Sequence, residues 1–494
     1  MSTFLIGFIF LLTLGFLYIL YSYARGLKDS PREIWILFTA KLLEYAAYGG
    51  SNMAFVLYLS KDCGLNDVSA GTYIGIWSTV MTCFSMLGGS IVDAIGVKRT
   101  LIVGMLAMLL GRLVMPFSNH LLFVTVFAFI PVAIGNAILV PVLSVGIKKF
   151  TTKESTALGF GLFYTLMNVG FAIGGYVFDK TREVYGEHSQ IDLGFIYIST
   201  YQMIFLISFL LTLPSFLFIL LMRKDIRVNL NQEKTFKSKN VLNSIWFEIK
   251  KSSKDTLAIM KTVFVEKAFW TYLFMLGILV FVKLTFYHFN YTFPKYGIRV
   301  LGEGSKVGAI YGILNPVLII FLVPLISHLT KKIKSYTMLL LGTSLSTVSI
   351  FIAALPLSFF EKLNSSFYSK LIFEDWLSLP VERQNPIILG IVLFIILFTI
   401  GEAIWSPRLM QFSAEFAPEG KEGTYIALSY LPYFLAKMIA GPMSGFLIAR
   451  YVPEGASEYP EHFMVWVWIG SVTLLSPVGL FVFRKMFERN RKNE

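Results

Sequence analysis

Apolar residues in this chain are gathered into long runs that short polar segments separate. A helix needs about 20 predominantly apolar residues to cross a bilayer, so each long run is predicted to be one membrane-spanning helix. Thirteen runs qualify, with approximate limits 3–22, 34–60, 70–92, 100–117, 121–147, 156–178, 198–222, 267–293, 306–329, 335–357, 386–414, 423–449 and 463–484. The first run is named the pre-helix, and the others are spans 1 to 12. The pattern predicts an all-α polytopic membrane protein.

The composition agrees with this class. Hydrophobic residues make up 55% of the chain and charged residues 15%, whereas soluble proteins carry about 25% charged residues. A net charge of +13 would indicate nucleic-acid binding in a soluble domain, but in a membrane protein the positive-inside rule explains it. We therefore expect no nucleic-acid partner. The sequence has no metal-ligand cluster, nucleophile motif or phosphate loop, so neither an enzyme nor a metal site is predicted.

Lysine and arginine are concentrated in every second loop. The richer loops contain Arg25, Lys28 and Arg32; Lys98 and Arg99; Lys148, Lys149 and Lys153; many basic residues within 223–267; Lys331, Lys332 and Lys334; Lys421; and a tail from Arg484 to Lys492. The poorer loops contain Lys61, Lys180, Arg182, Lys295, Arg299, Lys306, Lys362, Lys370, Arg383 and Arg450. The richer side is predicted to be cytoplasmic. The C-terminus is then inside, and the pre-helix places residue 1 outside.

The pre-helix is interpreted as an uncleaved anchor, because it lacks a charged segment before it and is followed by basic residues. The predicted division of the chain is 1–26 for this extra helix, 33–222 for an N-terminal six-helix bundle, 223–266 for a cytoplasmic linker, 267–485 for a C-terminal six-helix bundle and 486–494 for a basic cytoplasmic tail. Apolar residues at helical spacing within 241–249 predict either a short amphipathic helix on the inner membrane surface or a soluble linker. The expected location is the plasma membrane or a bacterial inner membrane, with an organellar membrane as the alternative.

The loop after span 2 carries a recognisable motif. Residues 89–99 read GSIVDAIGVKR, which resembles the loop signature G-x-x-x-D-x-x-G-x-[KR]-[KR] of the major facilitator superfamily. The plan of six plus six helices around a cytoplasmic linker is also that of this superfamily. The resemblance implies two bundles that rock about a substrate site at the bilayer midplane. It also implies that Asp93, Lys98 and Arg99 form a conformational latch, with Asp93 near a helix N-terminus.

Four further motifs resemble the proton-coupled oligopeptide transporter family, a branch of that superfamily. They are EYAAYGG with VLYL in span 1, FYTLMNVG in span 5, NP with a later proline in span 8, and GEAIWSP in span 10, at 44–50, 56–59, 163–170, 315–324 and 401–407. The matching family patterns are E-R-F-x-Y-Y-G…L-Y-L, F-Y-x-x-I-N-x-G, N-P-x-x-x-x-x-x-x-P and G-E-x-x-x-S-P. Together, in order and on the expected spans, they cover about residues 33 to 449.

Glu402 is the most informative single residue. It ends an otherwise apolar run, and a charge at mid-membrane depth costs about 2.5–3.5 kcal/mol, which makes it a functional-site candidate. The family resemblance implies that Glu402, Asn168 and Asn315 hold the ammonium end of a substrate. An ammonium group has three donors and no acceptor, so one carboxylate and amide oxygens satisfy it. Tyr48 and Tyr164 are expected to shape the cavity.

The residues at the positions that would hold the carboxylate of a peptide differ from the family pattern. Where the family has E-x-x-E-R-F in span 1, this chain has KLLEYA, with Lys41 for the first acid and Tyr45 for the arginine. The span 4 lysine of the family is replaced within Leu139-Val140-Pro141, and no acid occurs between Ala268 and Gly302 in span 7.

Lys41 or Lys283 is predicted to meet any anionic end of the substrate. Lys41 and Glu44 lie three residues apart on one helix face, so they either neutralise each other or act separately. Proton coupling is the family expectation, and Glu44 and Glu402 are the candidates for protonation.

These features predict a secondary active transporter that works by alternating access, coupled to protons, for a small amine-bearing solute such as a peptide or an amino-acid-like molecule. It is expected to work as a monomer in a lipid bilayer, with a proton gradient and no resident cofactor. One alternative is a major facilitator uniporter or exchanger for an organic anion or sugar, in which Lys41, Arg112, Lys283 and Lys437 dominate. The second is a non-transporting membrane receptor or adaptor.

Overall fold

The computed structural model describes residues 3–152, 154–223, 250, 267–416, 428 and 431–489. The amphipathic helix predicted within 241–249 and the end of the basic tail lie outside these residues. The chain forms two compact units, Met1–Cys63 with Val80–Ala258 and Gly64–Thr79 with Ile259–Glu494. They are named the first unit and the second unit.

The helices before the linker follow the predicted runs. They are α1 Thr3–Gly26, α2 Arg32–Lys61, α3 Asp67–Ile95, α4 Val97–Val114, α5 Leu121–Phe150, α6 Thr156–Tyr185 and α7 Thr200–Leu220. An antiparallel hairpin that the sequence pattern did not predict, β1 Gln190–Asp192 and β2 Tyr197–Ser199, precedes α7. Ser199 caps the start of α7 with a capping box. Its side chain accepts a hydrogen bond from the backbone N–H of Gln202, and the side chain of Gln202 accepts one from the backbone N–H of Ser199.

The helices after the linker complete the chain. They are α8 Lys267–Tyr291, α9 Phe293–Val300, α10 Gly308–Leu329, α11 Ser335–Ile350, α12 Leu357–Glu361, α13 Phe367–Lys370, α14 Ile387–Phe416, α15 Leu431–Tyr451, α16 Met464–Val482 and α17 Arg484–Arg489. Between the predicted runs 335–357 and 386–414, where the sequence pattern predicts no membrane span, the structure contains the short helices α12 and α13.

Each predicted apolar run overlaps a helix within the described residues, and the run at 423–449 does so from Leu431 onward. Within the described residues, ten helices are long and apolar enough to cross a membrane. Helices α1, α2 and α3 are not among the ten; α2 has lower hydropathy because Lys41 and Glu44 interrupt its apolar run. The predicted all-α polytopic fold is confirmed.

Each unit has its own apolar core. In the first unit the core lies among α2, α4 and α5 and contains Leu37, Met105 and Leu143. In the second unit α8, α11 and α14 enclose a core that contains Tyr272 and Trp405. The interior polar residues described below are therefore held by packed helices.

Within the second unit, the start of α3 touches the backbone of α15. A Cβ added to Gly71 would lie 2.5 Å from the carbonyl oxygen of Gly441, and one added to Gly441 would lie 2.5 Å from the Cα of Gly75. Only glycine allows helices to approach this closely. This contact is named the glycine seam, and it makes residues 67–79 part of the second unit.

Candidate functional site

Glu402 lies on α14 with 8% of its surface exposed. Asn315 on α10 donates one amide hydrogen bond to Glu402 Oε2 at 2.9 Å and another to Thr399 Oγ1 at 2.9 Å. Thr399 is one helical turn before Glu402, so a single amide spans two turns of α14. The structure thus brings together Glu402 and Asn315, two of the three residues that the family resemblance assigns to the ammonium end of a substrate. These two residues are named the amine pole.

The local geometry of α10 and α14 explains this contact. Helix α10 opens with a π-helical segment, Gly308–Ile313, and Pro316 follows with no backbone N–H to donate. Such wide turns often occur at functional sites, and here the irregular turn directly precedes Asn315. On α14, a Cβ at Gly401 would lie 2.4 Å from Ser346 Oγ, so close packing against α11 fixes the helix beside Glu402.

Lys283 on α8 is the second ionisable group of this region. It is 1% exposed, and its Nζ lies 3.6 Å from the ring centroid of Tyr433, 4.1 Å from Trp405 and 4.8 Å from Phe286. Three aromatic faces can stabilise an ammonium group through their quadrupoles. The three rings are named the aromatic cage. Among the described residues, no direct ion pair joins Lys283 to Glu402, although Trp405 lies one helical turn after Glu402 on α14.

Lys41 on α2 occupies a similar environment in the first unit. It is 1% exposed, with Nζ 3.6 Å from the ring centroid of Tyr45 and 3.8 Å from that of Phe163. The interpretation that Lys41 and Glu44 neutralise each other is wrong, because the carboxylate has another partner and the ammonium rests on aromatic rings.

The partner of Glu44 is Arg112 on α4. Its Nη1 donates to Glu44 Oε2 at 2.8 Å and also to Thr212 Oγ1 on α7. Both charged residues are buried, with Glu44 5% and Arg112 2% exposed. Arg112 is therefore a structural ion-pair partner that joins three helices, a role that its position in a single span did not indicate. Lys437, the remaining basic residue of the anion-transport alternative, lies 5.5 Å from the Tyr287 ring centroid.

The other predicted cavity residues belong to the first unit. Asn168 on α6 is 5% exposed and donates to the carbonyl oxygen of Tyr164 at 3.0 Å, one turn earlier. Tyr164 is 36% exposed, and Tyr48 packs against the rings of Tyr45 and Phe171. Their roles toward a substrate stay predictions.

The latch residues have different surroundings. Lys98 Nζ donates to the carbonyl oxygens of Leu220, at 2.9 Å, and of Met222, so it binds the C-terminal end of α7, where a cation is favoured. Arg99 is exposed, and the side chain of Asp93 lies outside the described residues. The latch function stays a prediction.

An ionic cluster that the sequence did not reveal lies at the start of α3 in the second unit. Asp67 accepts from Lys295 at 2.7 Å and from Arg299 at 2.8 Å, and Arg299 also donates to the carbonyl of Val452. Burial by itself would raise the pKa of Asp67, but hydrogen bonds from Arg299 and the two positive charges lower it below the usual carboxyl value. Nothing in the spacing of these residues signals the cluster. Among the described residues, no group of acidic, histidine and cysteine side chains has the arrangement of a metal site.

Comparisons with known proteins agree with this architecture. The model of the Major Facilitator Superfamily matches residues 37–441. Dipeptide and tripeptide permease A of Yersinia pestis is 24% identical over 143 residues, which is 28% of each chain. The same permease of Proteus mirabilis is 26% identical over 143 residues, covering 28% of this chain and 29% of the relative. The matched segment therefore spans less than a third of each of these two relatives.

Solved structures resemble nearly the whole chain. The crystal structure of a POT family transporter in complex with 5-aminolevulinic acid has a TM-score of 0.66 at 16% identity, covering 92% of this chain and 97% of that one. The crystal structure of the peptide transporter POT in complex with sulfate has a TM-score of 0.66 at 16% identity, covering 93% and 96%. At this level of identity the likeness establishes the fold.

Proposed function

Because the chain belongs to the major facilitator superfamily, we propose that it is a secondary active transporter that works by alternating access. The superfamily fold builds its substrate sites near the bilayer midplane from discontinuous helices. The permease relatives and the likeness to POT transporters support a solute of the size of a small peptide or an amino acid. The proposed orientation has the C-terminus in the cytoplasm and the N-terminus outside, as the distribution of basic loops favours, and the proposed working form is a monomer.

The substrate carries an amine, and Glu402 is the observation that supports this. Its carboxylate is buried, and its described hydrogen-bond donor is the neutral amide of Asn315. No lysine, arginine or histidine among the described residues forms a direct ion pair with it. A buried carboxylate normally requires a charged partner, and a substrate ammonium supplies one.

Glutamine at position 402 tests this proposal. Glu402→Gln keeps the size and the polarity of the side chain but removes the negative charge. In proteoliposomes, uptake of labelled dialanine and of 5-aminolevulinic acid should fall at least about 30-fold, because an ammonium loses its buried counter-charge. Glu382→Gln is the matched control, since Glu382 is exposed in the same unit. Unchanged uptake by the Glu402→Gln protein, at equal amounts in the membrane, would refute the amine site.

Protons are the proposed coupling ion. Glu402 is favoured over Glu44 as the protonated group, because Glu44 is bound to Arg112 at 2.8 Å. An inward proton gradient imposed on proteoliposomes should stimulate uptake. Absence of stimulation would make the protein a uniporter, and stimulation by an outward gradient would make it an exchanger.

A facilitator for organic anions is the second candidate. Lys41 and Lys283 favour it, since both ammonium groups are buried against aromatic rings. Competition of amines against carboxylates for the same uptake separates the two candidates: an amine site is inhibited by simple amines, and an anion facilitator is not.

A further inference from the structure

The Lys283 ammonium has unused hydrogen-bonding capacity. An ammonium group has three N–H donors, yet Lys283 makes no hydrogen bond or ion pair with any residue that the structure describes. The aromatic cage stabilises the charge through its ring faces, and its one oxygen, the hydroxyl of Tyr433, carries no negative charge. A side chain that is 1% exposed cannot direct its donors into bulk water. A small anionic group is the partner that such a site lacks.

The amine pole is close to this ammonium. Trp405 forms one wall of the aromatic cage and lies one helical turn after Glu402 on α14. Among the described residues, no direct ion pair joins Glu402 and Lys283. The second unit therefore holds a buried carboxylate and a buried ammonium near neighbouring turns of α14, each with capacity for a further partner of opposite charge.

Lys41 is less suited to this role. It belongs to the first unit and lies among the apolar side chains of that unit's core, such as Leu37 and Phe163. The nearby acid on its helix, Glu44, is bound to Arg112. Lys41 therefore has no free carboxylate beside it in that unit, whereas Lys283 has Glu402.

We propose that Lys283 is the anion-binding pole of the substrate site, and that the second unit alone binds both ends of a compact zwitterion. Glu402 and Asn315 accept and position the ammonium of the substrate, and the Lys283 ammonium donates to its carboxylate. The substrate class is then a short amino acid or an ω-amino acid with one free carboxylate. This inference rests on the proposed function, because it requires that Glu402 binds an amine.

The test compares each zwitterion with the carboxamide made from it. The series runs from glycine through 3-aminopropanoate and 4-aminobutanoate to 6-aminohexanoate, each beside its primary amide. Affinities are measured with the full-length protein in nanodiscs. The wild-type protein should bind at least one zwitterion about tenfold or more tightly than its amide, because one charge-assisted hydrogen bond is lost in the amide. The ligand with the largest ratio of zwitterion affinity to amide affinity indicates the distance between the sites at Glu402 and Lys283.

Variants then assign the preference to Lys283. Lys283→Gln should reduce the ratio to within about twofold while binding of the amide is retained, and Lys283→Arg should keep the preference. Lys370→Gln is the control, because it removes the same charge from an exposed residue of the same unit. Glu402→Gln should weaken binding of the zwitterion and the amide alike. A loss of structure alone would lower both affinities and leave their ratio unchanged.

The possible outcomes separate the inference from the function on which it rests. If the wild-type protein binds amide and zwitterion equally, or if Lys283→Gln keeps the preference, the anion pole is refuted while the amine site stands. If no amine-bearing ligand binds the wild-type protein, the proposed function itself fails. The first measurement needs no variant, so it decides the question even if Lys283→Gln does not fold.

Discussion

Glu44 and Glu402 are both buried carboxylates on long helices, but their partners differ in kind. Glu44 in the first unit accepts a hydrogen bond from Arg112 at 2.8 Å. Glu402 in the second unit accepts from the neutral Asn315 amide at 2.9 Å. The first carboxylate is already neutralised by the protein, and the second is held in position without being neutralised. A buried carboxylate can therefore bind a charged ligand where the protein supplies no cation to pair with it, as at Glu402.

The same contrast applies to the buried cations of the second unit. Lys295 and Arg299 share the Asp67 carboxylate, whereas Lys283 is held by the faces of Tyr433 and Trp405. Removing one member of a charge pair should therefore lower stability, and removing a charge without a direct counter-ion should lower binding. Each prediction below tests one side of this division.

The largest effect is expected for Arg112→Met. Removing one member of a buried ion pair leaves the other charge uncompensated, which destabilises a protein by about 3–5 kcal/mol. Denaturant unfolding in micelles should show this loss. The double variant Arg112→Met with Glu44→Met should regain most of the stability, since two apolar side chains often replace a buried pair without penalty. If the single variant Arg112→Met were as stable as the wild type, Arg112 would not be a structural partner of Glu44.

Asp67→Asn should destabilise the protein by about 2 kcal/mol at neutral pH, because Lys295 and Arg299 lose their shared charge. The pKa of Asp67 is lowered in the folded protein, so its stabilising contribution is present above the usual carboxyl pKa. That contribution is lost as the pH falls through the pKa in the folded state. Thermal unfolding of both proteins should therefore converge in acid, and a constant difference at every pH would contradict the assignment.

Asn315→Ala should lower the affinity for an amine-bearing ligand about tenfold, since the amide that positions Glu402 is lost. Binding in nanodiscs measures this change. Asn290→Ala is the matched control, because the hydrogen bond that Asn290 donates within the described residues goes to the carbonyl of Phe286 on its own helix. Equal effects of the two alanines would show that general packing, and not the contact with Glu402, determines binding.

The smallest effect is expected for Lys98→Ala, at about 0.5–1 kcal/mol, since the C-terminal carbonyls of α7 lose one charged donor. Thermal unfolding should detect it as a small shift. Arg99→Ala removes an exposed neighbour of equal charge and should change stability less. A larger shift for Arg99→Ala would mean that the contact with Leu220 is unimportant.

The sequence predicts the parts of the molecule that depend on local pattern. Apolar runs of sufficient length place the helices, and the isolated charge just after the apolar residues that end at Ile400 identifies Glu402 as a functional candidate. The family motifs supply Asn315, which the structure places within hydrogen-bonding distance of Glu402.

Contacts between distant helices could not be predicted from the sequence. The spacing of Lys41 and Glu44 favours a pair, but Arg112, 68 residues farther along, takes the carboxylate. The aromatic cage combines residues from α8, α14 and α15, and no local pattern signals such a meeting. The hairpin at 190–199 was missed because two strands of three residues leave too short an alternation to detect.

Because of the glycine seam, the two parts of helix α3 are expected to unfold separately. Its backbone touches that of α15 at Gly71 and Gly441, so residues 67–79 should unfold together with the second unit. Residues 80–95 should follow the first unit, to which they belong. Amide hydrogen exchange along this single continuous helix should therefore show two levels of protection, with the step near residue 79.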